Sequence, residues 1–354
     1  MKNLTLLAAL ALVASRLDRT ILAKIQPGDR NPKMTRTRSC LLLTVIVAAV
    51  VTSAPRFAGA EKIRLALPSR SMGYLPLFVA IHHGFLKDDN LEIELPAMLP
   101  NIAQNALLGG EVEYNGVADS ALRLAAKGAP LKSIFFSARL PNYFLMAKPN
   151  IKSVAELRGK LVAVSRFGGT TDLAARVALQ SHGLDPQKDV VLIMIGLGNT
   201  RNAALIAGSV DANIANPPDN SMLKQKGFRE LLFLGDAIEF PSNGFTTTDR
   251  RLAENRDQVK RLLRAFYRGL IFARDNAEET IRIVEREWKL DPATARDSYV
   301  SIMKAASRDG ASSEAGLKVH IKLIQQAEKN LGEIPLNKIA DFRVLEEVRR
   351  EISR

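Results

Sequence analysis

Cysteine, histidine and long apolar runs are all scarce in this chain. Its 354 residues include one cysteine, Cys40, and four histidines. With a single cysteine, near the N-terminus, the chain can form neither an internal disulfide nor a thiolate metal site. His82 and His83 are adjacent, and neighbouring side chains on a helix point about 100° apart, so they cannot easily share a tetrahedral metal ion. We therefore expect no metal and no other cofactor.

A nucleotide-binding loop of the form G-x-x-x-x-G-K-[ST] is also missing, so any ATP hydrolysis tied to this protein belongs to another polypeptide. Lysine and arginine total 50 against 37 aspartates and glutamates. The first 60 residues hold nine of the basic and two of the acidic residues, which leaves a net charge of +6 on the remainder. These charges are scattered along the sequence, so we expect no nucleic-acid partner.

Residues 1–60 resemble an export leader and not a folded domain. Met34 begins a segment with two arginines, an apolar core over Cys40–Val51, and a small-residue ending, Ala58-Gly59-Ala60. The apolar core is shorter than the roughly 20 residues that a membrane-spanning helix needs. We expect cleavage of this segment, with a retained membrane anchor as the weaker alternative.

Residues 34–60 are therefore predicted to be a cleaved signal peptide. Residues 1–33 are attributed to a misplaced start codon, with Met34 as the true first residue. The mature chain would begin at Glu61 and be located in the periplasm.

A long internal repeat organises the rest of the chain. The segment ALLGGEVEYNGVADS at Ala106–Ser120 returns as ALIAGSVDANIANPP at Ala204–Pro218. Upstream, Lys62–Gly84 matches Lys160–Gly183, each typical of a buried strand, a polar loop and a helix that ends at His-Gly. Each half thus predicts three strands alternating with three helices, which indicates a parallel sheet covered on both faces.

The loops after these strands are the predicted ligand-binding elements. Right-handed crossovers place them at the carboxyl ends of the strands, where open α/β sheets bind ligands. Asn101 and Asn199, at equivalent positions of the repeat, are predicted to be helix N-caps. Two such halves facing each other would enclose a cleft.

The chain is predicted to cross between the halves near Ala147–Asn150 and Phe240–Gly244, which would form a hinge. The first lobe would comprise residues 61–147 and 243–354, and the second lobe residues 148–242. Four amphipathic segments after the second crossing predict C-terminal helices that buttress the first lobe.

Several of these segments resemble one protein family. HHGFLKDDNLEIEL, ALLGGEVEYNGVADSALRLAAKGAPLK, IKSVAELRGKLVAV and ALIAGSVDANIANPP are similar to the substrate-binding proteins of bacterial ABC importers, of the sulfonate/nitrate/taurine-binding type. This type shares its fold with the thiamine-pyrimidine synthases. The motifs cover about Glu61–Asp249. Glu113 replaces the usual aspartate, and Asn216-Pro217-Pro218 replaces a frequent Trp-Glu-Pro, so the ligand cannot be carried over.

The resemblance implies an α/β, two-lobed periplasmic-binding-protein fold, type II-like, with two parallel-core sheets flanked by helices, a two-crossing hinge and C-terminal helices. It implies a monomeric receptor, not an enzyme, that closes on a small-molecule ligand and delivers it to a membrane permease with a separate ATPase subunit. A periplasmic ligand sensor is the alternative, and neighbouring permease or histidine-kinase genes would distinguish the two. A thiamine-pyrimidine synthase is disfavoured, because those enzymes carry a cysteine-rich iron motif.

The first-lobe loop contains the strongest site candidates, Ser71, Met72, Gly73 and Tyr74. Glycine allows the backbone to approach a ligand closely, and tyrosine offers a flat face with a polar tip. The alternative is an ordinary strand-to-helix connection with a buried tyrosine.

The second-lobe loop contains Gly168, Gly169, Thr170 and Thr171 at a predicted helix start. Free N–H groups and the positive end of the helix dipole could hold a sulfonate, carboxylate or phosphate. The alternative is that Thr171 or the following Asp172 simply caps the helix.

Five further candidates have weaker support. Asp119, Ser120 and Asn216 follow third strands but could equally be helix caps, and Asn243 lies beside the second crossing. Arg139 could bind an anionic group as a fork, or lie solvated at the surface. The ligand is expected to be small, organic and anionic, with sulfonates, carboxylates and pyrimidine-like compounds all open.

Overall fold

The structure is a computed structural model that describes residues 59–327 and 331–353, with Asp119 and Ala327 described by their backbone alone. The predicted signal peptide and the residues before it lie outside the described residues, apart from Gly59 and Ala60. Among the described helices, none has the length and apolar character needed to cross a membrane.

The described chain alternates strands and helices and then becomes wholly helical. The first stretch contains β1 (Glu61–Ala66), α1 (Leu75–His82), α2 (Phe85–Asp88), β2 (Leu91–Glu94), α3 (Pro100–Gly109), β3 (Tyr114–Asn115), α4 (Ala118–Ala126) and β4 (Leu131–Ala138). The second contains β5 (Phe144–Ala147), β6 (Leu161–Val164), α5 (Thr170–Ser181), β7 (Val191–Met194), α6 (Gly198–Ile206), β8 (Ala212–Ala215), α7 (Asp219–Gln225) and β9 (Arg229–Phe233). The third contains β10 (Ser242–Thr248), α8 (Asp249–Glu254), α9 (Arg256–Asp275), α10 (Ala277–Trp288), α11 (Pro292–Ala305), α12 (Glu314–Ala327), α13 (Leu336–Ile339) and α14 (Arg343–Ile352).

The two sheets have equivalent topologies. Their strand orders are β2-β1-β3-β10-β4 and β7-β6-β8-β5-β9. In each sheet the first three strands are parallel, and the fourth runs antiparallel to both of its neighbours. The predicted parallel cores and flanking helices are confirmed, within sheets that are mixed overall. In each sheet the fourth strand is also the first one that follows a crossing from the other sheet.

The first crossing lies earlier than the sequence predicted. Strand β5 pairs with β8 and β9, so Phe144–Ala147 belongs to the second lobe and the chain crosses at residues 139–143, not near Ala147–Asn150. Lys148-Pro149 ends β5 and does not mark the crossing. The pairing of β5 with β8 and β9 shows that the chain has already entered the second sheet before this point. The second crossing lies between the turn Leu234–Asp236 and β10, and it overlaps the predicted segment.

Both copies of the repeat contain the motif V-[DE]-x-N, at Val112–Asn115 and Val210–Asn213. In both lobes its asparagine connects the third strand to the preceding helix by a hydrogen bond. Asn115 Nδ2 donates to Gln104 Oε1 at 3.1 Å, and Asn213 Nδ2 donates to Asn202 Oδ1 at 2.7 Å. Gln104 and Asn202 occupy equivalent positions of the repeat, and Asn115 and Asn213 are both fully buried. The repeated motif therefore builds the scaffold in each lobe.

The acidic residue of the same motif binds the first strand of its sheet. Asp211 accepts the Leu161 N–H at 3.0 Å, and Glu113 accepts the Arg64 N–H at 2.7 Å. Glu113 thus takes the role of the aspartate, because its longer side chain reaches the corresponding strand edge.

The Asp211→Asn variant is expected to lose about 1 kcal/mol of stability at neutral pH, because charge-assisted hydrogen bonds to Lys148 and to the Leu161 N–H are weakened. Burial alone would raise the pKa of Asp211, but these two donors hold it below its ordinary value of 3.8. A depressed folded pKa gives stability that is present at neutral pH and lost as the pH falls through that pKa. Urea unfolding at about pH 7 and about pH 3 measures this difference.

The control for this variant is Asp257→Asn, which removes an exposed carboxylate paired with Arg261 within one helix turn. Surface pairs of this kind contribute little. A loss for Asp211→Asn that is the same at both pH values would contradict the assignment.

The C-terminal helices contact both lobes, whereas the sequence predicted support for the first lobe alone. Helix α11 binds the second lobe through the pair Lys224 Nζ–Asp297 Oδ2 at 2.7 Å and the bond Asn220 Nδ2 to Ser301 Oγ at 3.2 Å. Side chains of α12 enter the cores of both lobes. Amphipathic periodicity identified these helices but could not show which surfaces they cover.

Candidate functional site

Six described helices begin at the carboxyl edges of the two sheets: α1, α3, α4, α5, α6 and α7. None of these six has a side chain that caps its N-terminus. By contrast, Thr248 and Asp291 cap α8 and α11 by accepting backbone N–H groups. Uncapped amides and the positive ends of helix dipoles favour a negatively charged or hydrogen-bond-accepting ligand.

The predicted N-caps Asn101 and Asn199 are wrong, because both residues lie within the first turns of α3 and α6. Leu99 and Leu197 occupy the N-cap positions, and these side chains are 64 % and 70 % exposed. The N-cap positions of the two helices are therefore apolar, although the Asn199 side chain accepts the Thr200 N–H within the first turn of α6.

The carboxyl edges of the two sheets meet at a seam between α4 and the loop after β6. Arg123 Nη2 of the first lobe donates to the Gly168 carbonyl oxygen of the second at 3.2 Å. A narrow cavity of about 20 Å³ lies at this seam, lined by Arg123, Thr170 and Phe240 among others. A helix that begins at the carboxyl edge of the first sheet thus contacts a strand-end loop of the second lobe.

In the first lobe, two predicted site residues contact each other. A β-carbon placed on Gly73 would lie 2.2 Å from Asn243 Nδ2, so the Asn243 side chain covers the Gly73 backbone directly. Ser71 Oγ accepts the Gly73 N–H at 3.2 Å, and Met72 is fully buried. The loop after β1 and the second crossing therefore meet at Gly73 and Asn243.

Tyr74 is part of the core beneath this loop. Its side chain is 4 % exposed, its hydroxyl donates to the Gly116 carbonyl oxygen at 2.5 Å, and its ring lies 5.7 Å from that of Phe245. Trp288 also supports this loop, because its Nε1 donates to the Arg70 carbonyl oxygen at 2.6 Å. The structure thus places Tyr74 as a support for the loop, in line with the alternative of a buried tyrosine.

In the second lobe, side chains at the start of α5 hold the preceding loop. Thr171 Oγ1 accepts the Ser165 N–H at 3.0 Å, and Asp172 Oδ2 accepts the Gly168 N–H at 2.8 Å. Thr171 and Asp172 are both buried. The N-cap itself is Gly169.

Two other residues of this loop, Phe167 and Thr170, are more exposed than Thr171 and Asp172. Thr170 is the first residue of α5 and is half-buried, and Phe167 is 54 % exposed. Phe167 and the Thr170 helix start therefore form the outward-facing surface of the loop, and Thr171 supports it.

Three polar side chains come together near the loop after β8, and only one of them was predicted from the sequence. A β-carbon on Gly198 would lie 3.4 Å from Asp219 Oδ2 and 3.8 Å from both Arg201 Nη2 and Asn216 Oδ1. Asn216 was predicted, whereas Arg201 and Asp219 were not. Arg201 is buried, and its Nε donates to the Ile214 carbonyl oxygen at 3.1 Å.

Burial shifts both charges of this group toward neutrality. It raises the pKa of Asp219 and lowers the pKa of Arg201. The hydrogen bond between Asn202 and Asp219 and the attraction between the two charged side chains only partly offset this. Comparison of the repeats could have revealed the pair, because Arg201 aligns with Ala103, a fully buried position of the first lobe.

Arg139 lies apart from the other predicted site residues. Its backbone N–H donates to the Ala305 carbonyl oxygen at 2.9 Å, and its side chain lines a cavity formed with α9 and α11. The loops of the cleft do not contribute to that cavity. Ser120 is half-buried in the first turn of α4, and the side chain of Asp119 lies outside the described part of the structure.

Comparison with known proteins places the chain in a family. A family model described as NMT1/THI5 like matches residues 72–280, which is more than half of the chain. Among curated relatives, YtlA of Bacillus subtilis (strain 168) is 24 % identical over 311 residues, covering 82 % of this chain and 90 % of YtlA.

Solved structures with the same fold include both a binding protein and an enzyme. The periplasmic aliphatic sulphonate binding protein SsuA from Escherichia coli superposes with a TM-score of 0.64 at 19 % identity, covering 79 % of this chain and 97 % of SsuA. The desulfurization enzyme DSZB superposes with a TM-score of 0.62 at 15 % identity, covering 82 % of this chain and 99 % of DSZB. The chain therefore has the periplasmic-binding-protein fold, which supports binding and catalysis in different proteins.

Proposed function

Since the chain belongs to the NMT1/THI5-like family, we propose that it is the solute-binding component of an ABC-type importer. It captures a small organic anion between its lobes and delivers it to a membrane permease that is driven by a separate ATPase subunit. Export through the N-terminal signal peptide would place it in the periplasm.

The single observation that carries this proposal is the opposition of two equivalent sheets across two crossing segments. The start of α5 adjoins Gly168 of the second lobe, which Arg123 of the first lobe contacts, and α1 begins at the equivalent edge of the first sheet. A ligand held by both edges stabilises the closed arrangement over the open one, and a permease can read that difference.

The groups at the seam favour an anionic ligand. Main-chain amides at the start of α5, the Asn243 and Asn216 amides and the Arg201 side chain supply donors or positive charge. Phe167 supplies an exposed ring for an organic body. Asp219 is the acidic group nearby, and burial raises its pKa.

A binding role is also favoured over a catalytic one by composition. The sequence has no cysteine after Cys40, so a thiol nucleophile and a cysteine-rich iron motif are both excluded for the described residues. The described side chains around the seam are suited to holding a ligand.

A thermal-shift screen of the exported protein tests the proposal. The panel contains ethanesulfonate, taurine, succinate and an aminopyrimidine, which represent the three open ligand classes. A ligand at 100 times its dissociation constant adds about 2.7 kcal/mol of stability. We expect a clear rise in melting temperature with at least one class, and no rise with any of them would refute the receptor assignment.

The Gly73→Ala variant then tests the site. Its new β-carbon must displace the Asn243 side chain, and we expect at least tenfold weaker binding of the compound found in the screen. The matched control is Gly109→Ala, where a β-carbon meets nothing within 4 Å. Unchanged affinity in Gly73→Ala would remove the loop after β1 from the binding site.

A further inference from the structure

A second cavity, of about 520 Å³, lies outside the cleft and is strongly basic. Its ten lining residues include four cations, Arg139, Arg274, Lys304 and Arg308, and the others are apolar or neutral polar. No acidic residue is among the residues that line it. Its volume lies in the range of cavities that bind small organic molecules.

The cavity is located behind the first crossing. The Ser307 N–H donates to the Ser137 carbonyl oxygen at 2.8 Å, so the segment after α11 pairs along the edge of β4 that faces away from β10. Arg139 is the first residue of the crossing, and Lys304 Nζ lies 5.8 Å from the centre of the Phe144 ring in the second lobe. An occupant would therefore contact the hinge and lie close to both lobes.

Two of the four cations have no charge partner among the residues that the structure describes. The side chains of Arg139 and Arg308 form no ion pair with any residue in the described ranges. Arg274 is paired with Asp275 at 2.7 Å, and Lys304 lies 3.9 Å from Glu230. The guanidinium groups of Arg139 and Arg308 leave positive charge uncompensated on one concave surface, and a bound polyanion would neutralise it.

We propose that this cavity binds a small organic polyanion, with two or more negative charges, at a site separate from the interlobe cleft. Arg139 and Arg308 would bind its charged groups through their guanidinium forks, and Leu270, Val300 and Met303 would contact its body. Because Arg139 begins the crossing, occupancy would couple to the relative positions of the lobes. The proposal does not depend on what the cleft binds.

Isothermal titration with citrate and with inorganic pyrophosphate, at constant ionic strength, tests the site. We expect at least one probe to bind with a stoichiometry of one, and its affinity to fall as salt is raised. The probe that binds distinguishes carboxylate from phosphate chemistry. The Arg139→Gln/Arg308→Gln double variant should bind it at least tenfold more weakly.

The control double variant, Lys152→Gln/Lys188→Gln, removes the same charge from exposed positions of the second lobe and should bind within twofold of the unaltered protein. Gly73→Ala should also retain the polyanion, which separates this site from the cleft. Lys304→Gln repeats the test if the arginine variant fails to fold. Absence of binding by both probes, or equal weakening in the two double variants, would overturn the proposal.

Discussion

Replacing Arg201 with methionine is expected to cost about 2–3 kcal/mol of stability at neutral pH, since it leaves two carbonyl oxygens without their charged donor and the half-buried Asp219 without its positive neighbour. The guanidinium is 4 % exposed, interacts electrostatically with Asp219 and donates to the carbonyl oxygens of Ile214 and Gly196. Methionine fills a similar volume but supplies neither the charge nor the donors. Urea denaturation of the two proteins measures the loss.

The pH dependence of this loss identifies its cause. Burial raises the pKa of Asp219 even with Arg201 present. A raised folded pKa means that the protonated carboxyl favours the folded state at acid pH, and that this advantage is lost as the pH rises through the folded pKa. We therefore expect the deficit of Arg201→Met to shrink as the pH is lowered toward about 4.

The double variant Arg201→Met/Asp219→Asn provides the control, because it removes both charges together. It should recover the part of the lost stability that comes from the unbalanced carboxylate, and not the part that comes from the lost donors to Ile214 and Gly196. If Asp219→Asn gave no recovery, the two side chains would not form the buried pair described above.

The Gly269→Ala variant is expected to lose about 3 kcal/mol, near the upper end of the usual range for overpacking. A β-carbon there would lie 2.1 Å from the Pro76 carbonyl oxygen and 3.2 Å from the Ala80 nitrogen. These are backbone atoms of α1, so α9 must shift as a whole. The change in melting temperature measures the effect.

Helix α1 follows the loop that contains Gly73, so this shift should also weaken ligand binding. Gly109→Ala serves again as the control, because it adds a methyl group where no atom lies within 4 Å. Alanine in an exposed helix is otherwise favoured over glycine. An unchanged melting temperature for Gly269→Ala would show that α9 does not pack on α1 as described.

Local patterns were sufficient to predict most of the secondary structure. Apolar runs such as Leu161–Val164 are typical of buried parallel strands, and glycines such as Gly84, which has a φ of 74°, terminate helices in the left-handed conformation. The repeat predicted two equivalent lobes because equivalent segments bury equivalent faces. The repeat also contained the information for the first crossing. The second crossing lies between β9 and β10, and the equivalent position of the first half lies between β4 and β5.

The candidate site was predicted less completely. The loops were placed correctly at the strand ends, because parallel strands with right-handed crossovers bring those ends to one edge. The direction of each side chain was not predictable in the same way. Thr171 was predicted either as a ligand group or as a helix cap, and Asp172 only as a cap. Their bonds to Ser165 and Gly168 show that both hold the loop.

By itself, then, the sequence determined the elements of this protein, their repetition and the edge at which a ligand would be held. Those properties depend on residues close together in the chain, through periodicity and turn preference. The tertiary structure alone decided that Phe144–Ala147 joins the second sheet, that Arg201 is buried beside Asp219, and that Arg139 lies behind the crossing. Each of these depends on partners distant in sequence, whose pairing and burial are set by the packed fold and not by local pattern.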